Sequence, residues 1–544
     1  MTSHRVTFVP SGRSLMVDEG ETILDAALRC AEPLAAECGG GGACGRCLVQ
    51  IVAGDVPDYR ILRRNDGQAE VLACLTPVKG PLTVLRVVDA DLPQLVSRDR
   101  NIGIQPVVDW APWPVGLDPI HAGRTAADLG VALDVGTTTV RLLLIRLSDG
   151  TVVGEAGAYN PQIARGADVI SRIVAAEKGL RRELASLVRD VVVEMIGTAA
   201  AAADLDASLI RAYMVAGNVT MVHLLLGEDP SGIRRVPSEP RALAFEPVEA
   251  STLGWPGGGH VPVYTVPAAG GWVGGDIVSG VVRSGMSRTL DRMTLYVDLG
   301  TNGEIAFGGA DFALACACSA GPAFEGGGIR CGMRADPGAI DGARVSPDLG
   351  SLEVSVIGGG RVKGVCGSGL IALAHALFSA GWIDRGGRIT ARLPARYRLE
   401  GSWGAAVALD EGGQVGLWER DLASLMRAKA AIFAGIRSLT TVLGDEAARV
   451  DRVIVSGNFG RYLNLPAAIG IGLLPELPFG QYSYVDNGSL EGAALALLSR
   501  EFLSEITAYL ARITYVDLSE LPRYMDEFVG ASFLPHTDPA LLRL

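Results

Sequence analysis

The sequence predicts a multidomain α/β protein: a small cysteine-bearing module, a linker, and two lobes built on one repeated plan. Three observations predict it. Four cysteines, Cys38, Cys44, Cys47 and Cys74, follow the spacing C-x5-C-x2-C-x26-C. An apolar run ending in Asp-x-Gly-Thr occurs at Asp134 and recurs at Asp298. The chain has 544 residues, 49% of them hydrophobic, which at roughly 150 residues per domain is material for several cores.

Residues 1–88 read as short strands around one helix. Val6-Thr7-Phe8-Val9 and Ser14-Leu15-Met16-Val17 are strand-like, with a glycine turn between them. Glu21 to Ala31 reads as a helix, with Ile23, Leu24, Ala27 and Leu28 on one face. Strands are expected again at Cys47–Val52 and Leu82–Val88. This order resembles the β-grasp ferredoxin. Cys38, Cys44 and Cys47 share one glycine-rich loop with Arg46, and Cys74 follows in the apolar run Val71–Leu75. A 2Fe–2S cluster needs four thiolates, and glycines let backbone N–H groups turn toward its sulfides. The plant-type loop, C-x4-C-x2-C, is one residue shorter. Zinc is the rival because C-x2-C is also a zinc spacing, but Cys74 has no second cysteine near it. Cys30 reads as a small core residue.

Residues 89–127 read as a linker containing Asp109-Trp110-Ala111-Pro112-Trp113-Pro114, since proline-rich segments are extended and semi-rigid. The first lobe is expected over 128–290 and the second over 291–544. Leu133-Asp134-Val135-Gly136-Thr137-Thr138 in the first corresponds to Val297-Asp298-Leu299-Gly300-Thr301-Asn302-Gly303 in the second. Met214-Val215-Ala216-Gly217-Asn218 likewise corresponds to Ile454-Val455-Ser456-Gly457-Asn458. Two motifs repeated in one order indicate duplication. Asp134 and Gly217 are 83 positions apart, Asp298 and Gly457 159, so the second copy carries about 76 extra residues, expected within 310–420.

A strand–turn–strand with glycine and threonine at its tip offers N–H groups and hydroxyls to phosphate. The aspartate at the strand end can hold Mg²⁺ through water. Two such loops would grip a polyphosphate from both sides, and Ser456–Gly460 would let an adenine approach the backbone. The alternative for any single copy is an ordinary hairpin turn. Gly364-Val365-Cys366-Gly367-Ser368-Gly369 precedes a helix expected over Leu370–Ser379. Its glycines serve either phosphate binding or close helix packing. Ala320–Gly328 reads as a loop, and Cys316, Cys318, Cys331 and Cys366 as buried thiols.

The repeated loops resemble the acetate/sugar kinase, heat-shock chaperone and actin superfamily, whose fold is two ribonuclease-H-like lobes closing on ATP. With the ferredoxin-like module in front, nearly the whole chain resembles the reductive activators of corrinoid proteins. The marks are the four cysteines, the sequence from Asp134 to Val140, Val297–Phe307, Lys363–Ile371 and Ser456–Gly460. The resemblance implies an ATP-hydrolysing iron–sulfur protein that passes one electron from a 2Fe–2S cluster to cob(II)alamin, regenerating cob(I)alamin. It implies Cys38, Cys44, Cys47 and Cys74 as cluster ligands and Asp134 and Asp298 as the catalytic, Mg²⁺-organising pair. Gly136, Thr137, Thr138, Gly300, Thr301, Asn302, Gly303, Gly457, Asn458 and Gly460 would bind the nucleotide. The implied partners are a corrinoid protein of a methyltransferase or methionine synthase system and an electron donor.

The formal charge of −12, from 48 basic and 60 acidic residues, argues against a nucleic-acid partner. No run of about 18 apolar residues suggests a membrane span, and no signal-like segment opens the chain, so a cytoplasmic location is expected. Monomer and homodimer both remain compatible with the sequence. Two other classes share these motifs: a small-metabolite kinase with a regulatory ferredoxin module, and a redox carrier with nucleotide-sensing lobes.

Overall fold

Alternating apolar residues form the strands of the first small sheet, with Val6 and Phe8, Val49 and Ile51, and Leu82 and Val84 pointing into one core. The computed structural model describes residues 2–9, 11–30, 32, 34, 47–65, 68–86, 125, 127–346, 348, 350–401, 404–444, 449–457 and 463–543. Two units are distinguished, Met1–Pro93 with Pro161–Arg172, and Gln94–Asn160 with Ile173–Leu544.

In the first unit, β1 (Ser3–Val9), β2 (Ser14–Asp18), α1 (Ile23–Arg29), β3 (Leu48–Ala53), β4 (Ile61–Asn65), β5 (Gln68–Leu72) and β6 (Leu82–Arg86) make a sheet ordered β2-β1-β6-β3-β5-β4. Thr22 and Asp25 start α1 reciprocally. The Asp25 N–H donates to Thr22 Oγ1 at 3.1 Å and the Thr22 N–H to Asp25 Oδ2 at 3.2 Å. Ile23, Leu24, Ala26 and Ala27 then face the sheet. The helix is shorter than its expected span, and the hairpin β4–β5 was not anticipated. Cys30 is half-buried against this core.

The second unit contains the duplication. Its first lobe runs β7 (Leu129–Val135), β8 (Thr139–Arg146), β9 (Val152–Tyr159), α2 (Val169–Ala175, whose first four residues belong to the first unit), α3 (Arg181–Ala202), β10 (Ile210–Gly217), α4 (Val219–Leu226), β11 (Val248–Glu249), β12 (Pro262–Thr265) and α5 (Gly275–Arg283). The second opens β13 (Thr294–Leu299), β14 (Gly303–Gly308) and β15 (Ala313–Cys318). An insertion follows: β16 (Ala339–Val345), β17 (Leu352–Val356), β18 (Gly364–Val365), α6 (Gly367–Ser379), β19 (Arg398–Gly401), β20 (Gly404–Ala408) and β21 (Gly416–Trp418). The lobe resumes with α7 (Glu419–Val442), β22 (Arg452–Ser456), α8 (Leu465–Gly470), β23 (Tyr482–Tyr484), α9 (Gly488–Leu498), α10 (Arg500–Leu510), β24 (Ile513–Tyr515) and α11 (Tyr524–Ala531).

The two large sheets have corresponding cores. One is ordered β12-β10-β7-β8-β9, extended by β11, and the other β23-β22-β13-β14-β15, extended by β24. In each, an antiparallel three-strand meander precedes two parallel strands. The insertion falls within the interval expected from motif spacing. Helix α9, though late in the chain, shares a core with the first lobe's Ala132, Met214 and Ala216, and α5 shares it with the second lobe's Ala306, Ala313 and Ala315. Gly492 makes the α5–α9 approach close, since a Cβ there would lie 2.6 Å from Ser279 Cβ. At the far side, fully buried Lys429 on α7 donates to the carbonyls of Ala531, Phe533 and Pro535 at 2.6, 2.7 and 2.5 Å, fixing the C-terminal segment.

Candidate functional site

Strand alternation decides which acids meet. Ala132 and Asp134 share a face of β7, Tyr296 and Asp298 a face of β13, and Glu304 and Ala306 a face of β14. Ala132, Tyr296 and Ala306 belong to the core between the lobes, so the three acids point to the same side. Asp298 and Glu304 are direct cross-strand partners, an arrangement of like charges that is destabilising. Asp134 is opposed by Arg141 instead, and Arg141 also donates to Glu155 at 2.7 Å. Asn487 and Ser489, at the start of α9, each donate to Asp134 at 2.8 Å. Asp276 adds a fourth carboxyl from the first turn of α5.

Burial is the largest influence on all four. It raises Asp134 against the opposing pull of the Asn487 and Ser489 hydrogen bonds. It pushes Asp276 up to about 7, with the charge of Asp134 adding to the effect. Asp298 is pushed up to about 6, opposed by the Ser456 hydroxyl. Glu304 is raised well above its usual range, first by burial and then by Asp276 and Asp298. This surplus of buried negative charge suits a divalent cation. Among the described residues, no three His, Cys, Asp or Glu side chains converge as direct ligands. An ion completed by water and phosphate oxygens, as Mg²⁺ prefers, fits that donor set.

The tips of the two repeated loops touch. Thr138 Oγ1 and Thr301 Oγ1 are 2.5 Å apart. Asn302 Nδ2 donates to Thr137 Oγ1 at 3.4 Å, and Asn218 Nδ2 donates to the same oxygen at 3.0 Å. Thr301 donates to Glu325 at 2.8 Å. The Asn160 amide donates to Gly136 O at 2.9 Å, and its backbone N–H donates to Thr138 O at 2.8 Å. Thr137, Thr138, Thr301 and Asn302 are thus brought to one point.

The glycines divide by role. Gly136 closes its turn through a 2.9 Å bond from its N–H to Thr139 O, and Gly300 through a 3.2 Å bond to Asn302 O. Gly303 faces helix α7, where a Cβ would lie 2.7 Å from Ile432 Cγ1 and 2.8 Å from Cys318 Sγ. Gly457 has φ +108° and passes over β13, where a Cβ would lie 2.5 Å from Leu299 O. Gly217 repeats this in the first lobe, 2.8 Å from Val135 O. Asn458 and Gly460 lie outside the described residues. For Gly367 and Gly369 the packing alternative accounts for the sequence. A Cβ on either would lie 1.9 Å from a backbone oxygen, of Phe324 and Ile340 respectively. Cys316, Cys318 and Cys366 are buried and Cys331 is partly so.

In the first unit the Cys74 N–H donates to Cys47 Sγ at 3.5 Å, and both side chains are buried in its core. A strand end and a short turn, distant in sequence, therefore bring the Cys47 sulfur against the Cys74 backbone. Cys38 and Cys44 lie outside the described residues.

Sequence reasoning missed Asp276, Glu304, Asn487 and Ser489. Gly274-Gly275-Asp276 and Asn487-Gly488-Ser489 carry a faint signal, small residues beside a polar one at a helix start. Glu304 becomes visible only through its register with Asp298.

Comparison with known proteins covers the chain in three segments. Residues 6–79 match the family described as 2Fe-2S iron-sulfur cluster binding domain, 129–289 the RACo middle region, and 292–543 the C-terminal domain of RACo, the ASKHA domain. The chain is 27% identical to the corrinoid activation enzyme RamQ of Eubacterium limosum, over 96% of this chain and 98% of that protein. It is 23% identical to the [Co(II) methylated amine-specific corrinoid protein] reductase of Methanosarcina barkeri, over 71% of this chain and 73% of that protein. Among solved structures, a reductive activator for corrinoid,iron-sulfur protein superposes with a TM-score of 0.74 at 34% identity, covering 99% of both chains.

Proposed function

Because the chain belongs to the family of reductive activators of corrinoid proteins, we propose that it reduces cob(II)alamin to cob(I)alamin on a protein of a methyltransferase or methionine synthase system, with ATP hydrolysed between the repeated loops. The observation that carries this reading is the contact of Thr138 with Thr301 at 2.5 Å. A polyphosphate entering there is gripped from both lobes, so its hydrolysis is coupled to lobe position.

Cys38, Cys44, Cys47 and Cys74 would hold a 2Fe–2S cluster, which would supply a single electron at about −400 mV for the plant type. The Cys74 N–H, donated to Cys47 Sγ, and the buried setting of both residues would tune that potential. The resemblance to the family implies an acceptor of lower potential still, so the transfer needs the free energy of ATP. Asp134 and Asp298 organise Mg²⁺, which offsets the phosphate charge. Thr137, Thr138, Thr301 and Asn302 exchange their mutual hydrogen bonds for phosphate oxygens. Gly136, Gly300 and Gly303 contribute backbone N–H groups, and Gly457, Asn458 and Gly460 border the adenine. We assign residues 1–88 to the ferredoxin domain, 89–127 to a linker, and 128–290 and 291–544 to the lobes. No described helix is long and apolar enough to cross a membrane. We place the protein in the cytoplasm, as a monomer or homodimer served by a separate electron donor.

The test is anaerobic absorbance of cob(I) with the full-length protein, a chemical reductant and a cob(II) corrinoid protein. Reduction is expected with ATP and not with a non-hydrolysable analogue. Equal rates with and without ATP would reject the coupling, and ATP turnover stimulated by sugars or organic acids would point to a kinase.

A further inference from the structure

We propose that Arg334 is the cation that meets the γ-phosphate of ATP during cleavage, delivered in cis from the segment inserted in the second lobe. This rests on the reading that ATP is hydrolysed at the repeated loops.

A closed circuit of contacts places Arg334 beside those loops. Thr138 meets Thr301 at 2.5 Å, and Thr301 donates to Glu325 at 2.8 Å. Gly326, next in the chain, lies against Met333, where a Cβ would be 2.8 Å from the Met333 nitrogen. Arg334 follows, with its Cζ 3.8 Å from the centroid of the Tyr159 ring. Asn160, next to Tyr159, returns to Thr138 through a 2.8 Å backbone bond. The guanidinium therefore bridges from the second lobe to the first at the rim of the loop tips.

The backbone that projects it is fixed. Gly332 pairs with Val365, and the Met333 N–H donates to Val365 O at 2.8 Å. Stacking on Tyr159 holds the guanidinium plane while leaving its edge N–H groups to other partners. Arg334 has no carboxylate partner among the described residues, and its Nη2 is buried without a hydrogen bond. Leaving such a donor unmatched is costly, so its retention calls for an acceptor. Arg141, the cation on the carboxylate face, is already paired with Glu155.

The chemistry needs such a group. Water adds to the γ-phosphorus, the bond to the β–γ bridging oxygen breaks, ADP leaves with the electron pair, and the protons of the attacking water stay on the inorganic phosphate or pass to solvent. Arg334 donates hydrogen bonds to the γ-phosphoryl oxygens and keeps its own protons. Stabilisation of this kind is worth about 10³–10⁵ in rate where an arginine finger supplies it.

Calorimetry on the full-length protein tests this with two probes, Mg²⁺–ADP and Mg²⁺–ADP with aluminium fluoride. The wild type should bind the second far more tightly, as transition-state mimics do by about 100-fold or more. Arg334→Ala should lose most of that gain while ADP affinity changes by less than about threefold, and Arg334→Lys should recover part of it. An undiminished fluoride gain in Arg334→Ala overturns the assignment, as does an equal loss for both probes, which marks a structural role. A wild type that binds ADP with no fluoride gain overturns hydrolysis at this site, and the assignment with it.

Discussion

Asp134, Asp276, Asp298 and Glu304 crowd one inter-lobe face, and Asp276 shows the consequence most directly. Burial, with the charge of Asp134 adding to it, pushes its carboxyl up to about 7, from about 3.9 for an unperturbed aspartate. Between those values the folded protein holds a proton that the unfolded chain has released. The contribution to stability is therefore full below the unfolded pKa and is lost as pH rises through about 7. Nucleotide-free protein is expected to melt at a higher temperature near about pH 5.5 than near about pH 8. Asp276→Asn should narrow the gap by raising the melt at the higher pH, while slowing Mg²⁺–ATP turnover. The same gap in both proteins by calorimetry would remove Asp276 from the cluster. Asp134 and Asp298 were legible in the sequence because the repeat marks them twice. Asp276 and Glu304 were not, since one enters from a distant helix and the other through strand register.

At the scale of elements, the α5–α9 contact sets the position of Asp134, because Asn487 and Ser489 reach it from the start of α9. Gly492→Ala would force a methyl group to within 2.6 Å of Ser279 Cβ. Overpacking of this kind costs about 1–3 kcal/mol and shifts α9, so melting temperature and ATP affinity should fall together. Gly197→Ala, on an exposed stretch of α3 with nothing within 4 Å of the added Cβ, is expected instead to stabilise by about 0.5–1 kcal/mol. Thermal melts and nucleotide titration separate the two, and a harmless Gly492→Ala would show that the helices move apart freely. The glycines before α6 teach the converse. From sequence they suit phosphate or packing equally, and only the carbonyls of Phe324 and Ile340 decide between them.

At the scale of the whole molecule, the cluster module and the ATPase lobes have separate cores. Cys74→Ser is accordingly expected to lose iron and cob(I) formation while keeping ATP turnover, as read by iron analysis, absorbance and phosphate release. Loss of ATP turnover along with the iron would mean that the lobes depend on the cluster. The duplication and the size of the insertion were legible because motif spacing counts residues directly. The placement of α9 on the first lobe's sheet was not, because spacing carries no information about which sheet a distant helix covers.

The placement of α9 governs how the chain is made. The first lobe's sheet is complete by Thr265, yet α9 begins at Gly488, roughly 220 residues later. At about 5–20 residues per second of synthesis, Ala132, Met214 and Ala216 would wait roughly 10–45 s on the ribosome for their cover. Chaperone capture during that interval would protect the nascent lobe, and fast overexpression would aggravate its exposure. A premature stop between α5 and α9 would release a half-molecule with an apolar sheet face open to any neighbouring chain.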